Sequence, residues 1–167
     1  MRRLALLLAV LAPVALGAVV QPVSIESLAR TSDAVVRGRV ARQAARWAGD
    51  GRRIFTGVEI EVASVWRGAA PQRVVVEVPG GAVDGIAQRV DAAPAFDDGE
   101  DVVVFLAHHG DAWAVRGLAL GKFRIAGGEA RPTLTGLRFA PGSVPEGERA
   151  VGTVPVEELE RRVRAQR

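Results

Sequence analysis

An alternation of apolar and polar residues runs through the middle of the chain and predicts antiparallel strands. In Ile54–Val62 the even-numbered positions are apolar or small, while the odd-numbered ones include Glu59 and Glu61. The same period of two recurs from Val74 to Val78 and ends at Pro79-Gly80-Gly81. Such a period is typical of strands that bury one face.

An earlier strand, Ala34–Val40, has the same pattern, with apolar or small even positions and arginine at positions 37 and 39. A glycine-rich turn separates it from the strand at Ile54–Val62. A three-residue loop, Gly49–Gly51, with Gly51 in the left-handed region keeps the inward-facing residues opposite one another, whereas a two-residue turn would reverse the faces. The predicted pairs are Val40 with Ile60 and Arg39 with Glu61.

The stretch Val102–Ala107 is apolar at every position, which predicts a strand covered on both faces. Gly110-Asp111 suits a tight hairpin turn after it. Three further strands are predicted over residues 113–116, 122–126 and 130–134, and Pro132 places the last of them at a sheet edge.

Two helices flank these strands. Ser24 is placed as the N-cap of a short helix that ends near Asp33. The C-terminal helix, about residues 155–165, carries an apolar stripe that fits the second face of Val102–Ala107. Residues 82–96 and 135–152 show no period and are predicted as long loops. The fold class predicted is mainly β: a small OB-like barrel of about six or seven antiparallel strands with both helices added.

The N-terminus has the layout of a secretory signal peptide, assigned to residues 1–18. Arg2 and Arg3 precede an apolar segment, and small residues follow at Ala15–Ala18. A retained anchor helix is the alternative, disfavoured by Pro13 and by the lack of a basic cluster after the segment. We therefore expect an extracytoplasmic protein, secreted or periplasmic, with a single domain over residues 19–167 and no stable membrane insertion after cleavage.

Charge and cysteine content narrow the function classes. Without Arg2 and Arg3, 20 basic residues face 19 acidic ones, so the net charge gives little support to a nucleic-acid partner. The chain contains no cysteine, which excludes disulfides, a cysteine nucleophile and thiolate metal ligands. The arginines of the first hairpin, set against Glu59 and Glu61, indicate an outer face of ion pairs in place of a single-strand binding groove.

Candidate catalytic chemistry is sparse. His108 and His109 are adjacent, so in a strand they point to opposite faces, and with Asp111 they make a weak metal-ligand set. A hairpin-end pair beside Trp113 is the simpler interpretation. The acidic turn over residues 97–101 offers oxygen ligands for calcium, against the interpretation of a solvated turn. None of the five serines lies in a Gly-x-Ser-x-Gly motif. We expect no cofactor and no enzyme activity.

Three fragments resemble netrin-type modules, the β-barrel family that includes the tissue inhibitors of metalloproteases. They are Ser32–Val40, Val65-Trp66-Arg67-Gly68, and the set Phe96, Gly99, Glu100, Phe105 and Leu106. The resemblance implies an exported OB-like barrel that acts by binding. Those inhibitors work through an N-terminal cysteine, which this chain lacks, so no inhibitory residue is carried over.

The function predicted is that of a secreted, non-catalytic binding module for a protein or cell-envelope partner. The alternatives are an inhibitor or partner of a secreted hydrolase and, third, a metal-dependent hydrolase. Gly80-Gly81-Ala82-Val83-Asp84-Gly85 follows a strand but lacks the lysine of a phosphate-binding loop, so its glycines indicate a sharp corner. We place the binding surface on this loop and on the segment that follows it. The candidate binding residues are Gly80, Gly81, Asp84, Gly85, Arg89 and Phe96.

Overall fold

The computed structural model describes residues 18–110, 112–134 and 137–166. The predicted signal peptide lies outside them, except for Ala18. The strands are β1 (Ala18–Val20), β2 (Ala34–Trp47), β3 (Ile54–Gly68), β4 (Arg73–Pro79), β5 (Gly81–Val83), β6 (Ile86–Gln88), β7 (Asp101–His109), β8 (Ala112–Val115), β9 (Lys122–Ala126), β10 (Glu129–Pro132), β11 (Leu137–Phe139) and β12 (Val154–Pro155). The helices are α1 (Ile25–Thr31) and α2 (Val156–Arg164), with a 3₁₀ turn at Leu118–Gly121.

Five strands form a partly closed ring, which confirms the mainly β, barrel-like prediction. The ring order is β2-β3-β4-β8-β7, and β7 returns to β2. Its closure is narrow, because β4 and β8 meet in a single parallel bridge between Val76 and Trp113. Such a five-stranded, partly open arrangement is that of OB-type barrels. The main sheet has eight strands, since β9, β10 and β12 extend it beyond β7.

The hairpin of β2 and β3 has the predicted register. Val40 lies opposite Ile60, and Arg39 lies opposite Glu61. The route to this register differs from the prediction, because the connection covers residues 48–53, closed by the Ala48 amide donating to the Arg53 carbonyl at 2.7 Å. An irregularity between Val40 and Arg42 then restores the pairing. A longer loop and a β-bulge together have the same effect as the three-residue loop.

Strand β7 is covered on both faces, as predicted. Val102, Val104 and Leu106 pack inside the ring with the valines of β2, β3 and β4. Val103 and Phe105 face the other side, where they meet both helices. The protein therefore has two hydrophobic clusters, which share β7 as their common wall.

The two helices cover the outer cluster. Ser24 caps α1 as predicted, accepting a hydrogen bond from the Ser27 amide at 3.0 Å. Helix α2 buries Val156, Leu159 and Val163 in the outer cluster, which also contains Val103 and Phe105 of β7. An ion pair between Glu26 of α1 and Arg162 of α2, at 2.6 Å, joins the helices.

Two predicted loops contain strands. Residues 82–96 include the β5–β6 hairpin, closed by Asp84 and Gly85 at φ of 52° and 78°. Positive φ at both turn residues is the two-residue hairpin geometry that Asp-Gly favours. Residues 135–152 include β11, which pairs in parallel with β1. Both β5 and β11 have three residues, too short for a visible period of two.

Candidate functional site

A cleft of about 850 Å³ opens between the end of β4, the β5–β6 hairpin and the segment 89–96. Most of its lining side chains are small or apolar, including Val58, Val78 and Leu137. Concave, mainly apolar surfaces with a few polar groups are the usual form of a binding site. The cleft is therefore the first candidate for function in the part of the chain that the structure describes.

Backbone geometry that only certain residues tolerate forms the cleft. Gly80 and Gly81 have φ of 99° and 136°, and they turn the chain from β4 into β5. A Cβ atom at Gly81 would lie 2.5 Å from the Thr56 hydroxyl, so no side chain fits there. Ala92, on the opposite wall, has φ of 63°. Positive φ in a non-glycine residue costs of the order of 1 kcal/mol and concentrates at functional sites.

One side-chain amide and one hydroxyl hold the base of the hairpin beside the start of β3. The Thr56 hydroxyl donates to the Gly80 carbonyl at 2.8 Å. The Gln88 side chain accepts from the Ile54 amide at 2.7 Å and donates to the Arg52 carbonyl, also at 2.7 Å. These contacts hold the near end of the cleft rigidly against the barrel.

The far end of the cleft is held by Phe96 and a buried ion pair behind it. The Lys122 ammonium lies 2.6 Å from Glu100, and it sits 5.1 Å from the centre of the Phe96 ring. Both charged side chains are at most 3% exposed. Burial lowers the pKa of Lys122, although the hydrogen bond to Glu100 opposes that shift. Gln43 adds a hydrogen bond to the Phe96 carbonyl at 3.0 Å.

Four of the six predicted binding residues line this cleft: Gly80, Gly81, Arg89 and Phe96. Asp84 and Gly85 lie at the tip of the hairpin, where Asp84 accepts a hydrogen bond from the Trp47 indole at 3.1 Å. Sequence reasoning missed Gln43 and Gln88, because a lone glutamine in a strand carries no motif. It also missed Leu137, which was hidden in a predicted loop.

The two histidines are exposed at the end of β7 and lie on consecutive strand positions. The His108 ring stacks on Trp113 with 3.8 Å between ring centres. Asp111 lies outside the described residues. Within the described ranges, no group of three or more acidic or histidine side chains is placed to hold a metal ion.

Each carboxylate of the acidic turn has a partner within the protein. The pairs are Asp97 with Arg124 at 3.2 Å, Asp98 with Gln43 at 3.1 Å, Glu100 with Lys122 at 2.6 Å, and Asp101 with Arg37 at 2.7 Å. These contacts join the turn to β2 and β9.

The outer face of β2, β3 and β4 carries the predicted rows of ion pairs. Glu59 forms ion pairs with Arg42 at 2.8 Å and with Arg73 at 3.0 Å. Arg46 pairs with Glu77 on the same face. Glu61 contacts Arg73 at 3.5 Å. Arginine charge on this face is thus offset by neighbouring carboxylates.

A scan against protein-family models finds no match, and comparisons with curated proteins and with solved structures also find no similar chain. In the residues that the structure describes, neither helix has the length or the apolar character needed to cross a membrane.

Proposed function

We propose that this protein is an exported, non-catalytic binding module that captures a protein or cell-envelope partner in the cleft beside the β5–β6 hairpin. The single observation that carries the proposal is the cleft itself, built from strained or glycine-dependent backbone on a rigid barrel. Binding residues often lie on loops that a rigid scaffold positions. Inhibition of a secreted hydrolase is one form that such capture can take, and the resemblance to netrin-type modules supports it as a prediction.

The test must leave the barrel intact. Replacing the whole segment 80–96 would remove Phe96 and Pro94, which are buried. Arg89, Val90 and Asp91 are exposed and line the cleft, so their replacement by serine changes the surface without opening the core. A control variant with serine at Val75, Glu157 and Arg161 removes the same classes of exposed side chain elsewhere.

We expect the cleft variant (R89S, V90S, D91S) to lose partner capture by about tenfold, while the control variant (V75S, E157S, R161S) stays within about twofold of the original protein. Capture is measured by affinity chromatography from culture fluid and envelope extract, with both variants checked for the original melting temperature. Equal capture by the two variants would place the binding surface elsewhere and remove the proposal.

A further inference from the structure

The cleft borders an unpaired strand edge. Strand β6 pairs with β5 on one side, with Gly81 opposite Gln88, Ala82 opposite Ala87 and Val83 opposite Ile86. Among the described residues, no strand pairs with its other side. Natural proteins protect strand edges by shortening, charging or covering them, and this edge is short, with the charged Arg89 directly after it, but not covered.

The pairing shows which backbone groups this edge presents. Antiparallel pairs alternate between hydrogen-bonded and non-hydrogen-bonded positions, and the pair that flanks a two-residue turn is hydrogen-bonded. Val83 and Ile86 flank the turn, so Ala87 occupies a non-hydrogen-bonded position and directs its N–H and C=O away from β5. Arg89, two residues further, directly follows the last residue of β6. No hydrogen bond within the described ranges engages either amide N–H.

The side chains beside this edge suit an added strand. Ile86 of β6 is 52% exposed, and Val90, which lines the cleft, is 43% exposed, so two large apolar side chains beside this edge are free to pack against an added segment. Arg89 is exposed and forms no ion pair with any residue that the structure describes. An apolar segment that carries a carboxylate opposite Arg89 would complement the charge of this side chain and cover the exposed apolar side chains beside it.

From these observations we infer that the occupant of the cleft is an extended peptide segment of a partner protein. The segment adds to β6 as a further strand, through the backbone groups of Ala87 and Arg89, and places an acidic side chain on Arg89. The inference rests on the proposed function and specifies its partner. In strand addition, main-chain hydrogen bonds supply affinity and side-chain contacts supply specificity. A glycan fits less well, because the cleft lining offers one aromatic side chain, Phe96, and it is buried.

Proline at position 87 separates strand addition from other modes of binding. Ala87 directs its N–H away from β5, so Ala87→Pro removes the outward donor and leaves the β5–β6 hydrogen bonds in place. Proline is tolerated at such edge positions, and the preceding Ile86 is already extended, as a residue before proline prefers. Ala87→Ser is the matched control, because it keeps the N–H with a side chain of similar size.

The probe is a displayed library of random linear peptides of about ten residues, a length that spans a strand. We expect selected peptides to be apolar with an acidic residue and to shift the amide resonances of Ala87 and Arg89. Ala87→Pro should weaken their binding by about tenfold and Ala87→Ser by less than about twofold. Arg89→Glu should weaken the binding of the acidic peptides and leave the binding of analogues with an amide in place of the carboxylate nearly unchanged.

Two outcomes would overturn the inference. One is that the selected peptides bind the Ala87→Pro variant as well as they bind the original protein, since strand addition then has no role in binding. The other is that no linear peptide is selected while partner capture still depends on Arg89, Val90 and Asp91. In that case the proposed function stands and the partner is recognised through a folded surface or a non-peptide group. If the cleft variant keeps both peptide binding and partner capture, the proposed function is removed as well.

Discussion

Lys122 is the only lysine in the chain, and it is buried with Glu100 behind the Phe96 wall of the cleft. Removing one partner of a buried ion pair leaves an uncompensated charge, whereas removing both is often nearly neutral. We expect Lys122→Met to lower the free energy of unfolding by about 3 kcal/mol. Adding Glu100→Gln should restore most of that loss, because glutamine still accepts the Asp97 amide hydrogen bond that Glu100 receives at 3.1 Å.

Urea unfolding of the two single variants and the double variant measures this coupling. Additive losses in the double variant would show that the two side chains do not act as a pair.

The same lysine gives a pH dependence whose sign follows from its lowered pKa. In the folded protein the pKa of Lys122 lies below its ordinary value of 10.5, mainly because of burial. At pH values between the lowered pKa of the folded protein and 10.5, Lys122 is protonated in the unfolded chain and largely deprotonated in the folded one. The unfolded chain then binds more protons, so the free energy of unfolding rises with pH. The chain has no tyrosine and no cysteine. Above about pH 9 the α-amino group has already titrated, so Lys122 is the one side chain that changes its charge before the arginines do.

We therefore expect the stability of the original protein to increase from about pH 9 towards 10.5 and that of Lys122→Met to stay flat. Denaturant unfolding at a series of pH values measures both curves. A falling curve for the original protein, or the same slope in both, would contradict the assignment.

At this scale the sequence supported only part of what the structure contains. The period of two placed Val40 opposite Ile60 correctly, because a slip of one residue would expose the buried face. It said nothing about Lys122 with Glu100, which are 22 residues apart and meet only when β9 lies beside β7. Arg39 and Glu61 lie opposite one another as predicted, yet Glu61 contacts Arg73, because β4 supplies a competing arginine.

At the scale of elements, the β2–β3 hairpin depends on one glycine inside a strand. Its pairing shifts between Arg37 and Gly38, and a Cβ atom at Gly38 would lie 2.3 Å from the Glu61 carbonyl oxygen. Close approach of two backbones is a usual reason for glycine inside a strand. Gly49, in the connecting loop, serves as the control, because a Cβ atom there would meet no heavy atom within 4 Å beyond its chain neighbours.

We expect Gly38→Ala to destabilise the protein by about 2 kcal/mol or more, because the backbone of β3 must move away. Gly49→Ala should change the free energy of unfolding by less than about 0.5 kcal/mol. Thermal and urea unfolding of both variants provide the comparison. A stable Gly38→Ala protein would mean that the bulge relaxes without cost.

Elements with at least one clear face were predictable, whereas short or irregular ones were not. Strands β2, β3 and β4 show the period of two, and β7 is apolar from Val102 to Ala107, so burial alone specifies them. The β5–β6 hairpin was predicted as a loop although Asp84-Gly85 is a hairpin signal, because its strands are too short to alternate. The strands that form this wall of the cleft were therefore not predicted, although the glycines before them were predicted to form a sharp turn.

At the scale of the whole molecule, strand β1 bears on the predicted export. Cleavage near Gly17 or Ala18 leaves β1 available to pair with β11, whereas cleavage beyond Val20 removes it. We expect the exported protein to begin at or beside residue 18. N-terminal sequencing of extracytoplasmic material measures the site, and a sequence that begins at Met1 would contradict both the cleavage and the proposed export.

The last prediction separates the binding proposal from the metal-dependent hydrolase that the histidines suggested. Catalysis requires groups in mutual reach, such as a base beside a nucleophile or several ligands around a metal ion. His108 and His109 are exposed, and the His108 ring is stacked on Trp113. We expect the double variant His108→Ala, His109→Ala to keep partner capture within about twofold and to lose about 1 kcal/mol of stability with the stacking contact.

Capture by the histidine variant is compared directly with capture by the cleft variant (R89S, V90S, D91S), using the same extract. Zinc content is measured in parallel, before and after treatment with a chelator. If the histidine variant alone loses capture, or if the protein holds stoichiometric zinc and a chelator abolishes its activity, the site lies at the end of β7. If the cleft variant alone loses capture, the surface that functions is the one beside β6, and the His108 ring serves to cover Trp113 at the narrow closure of the barrel.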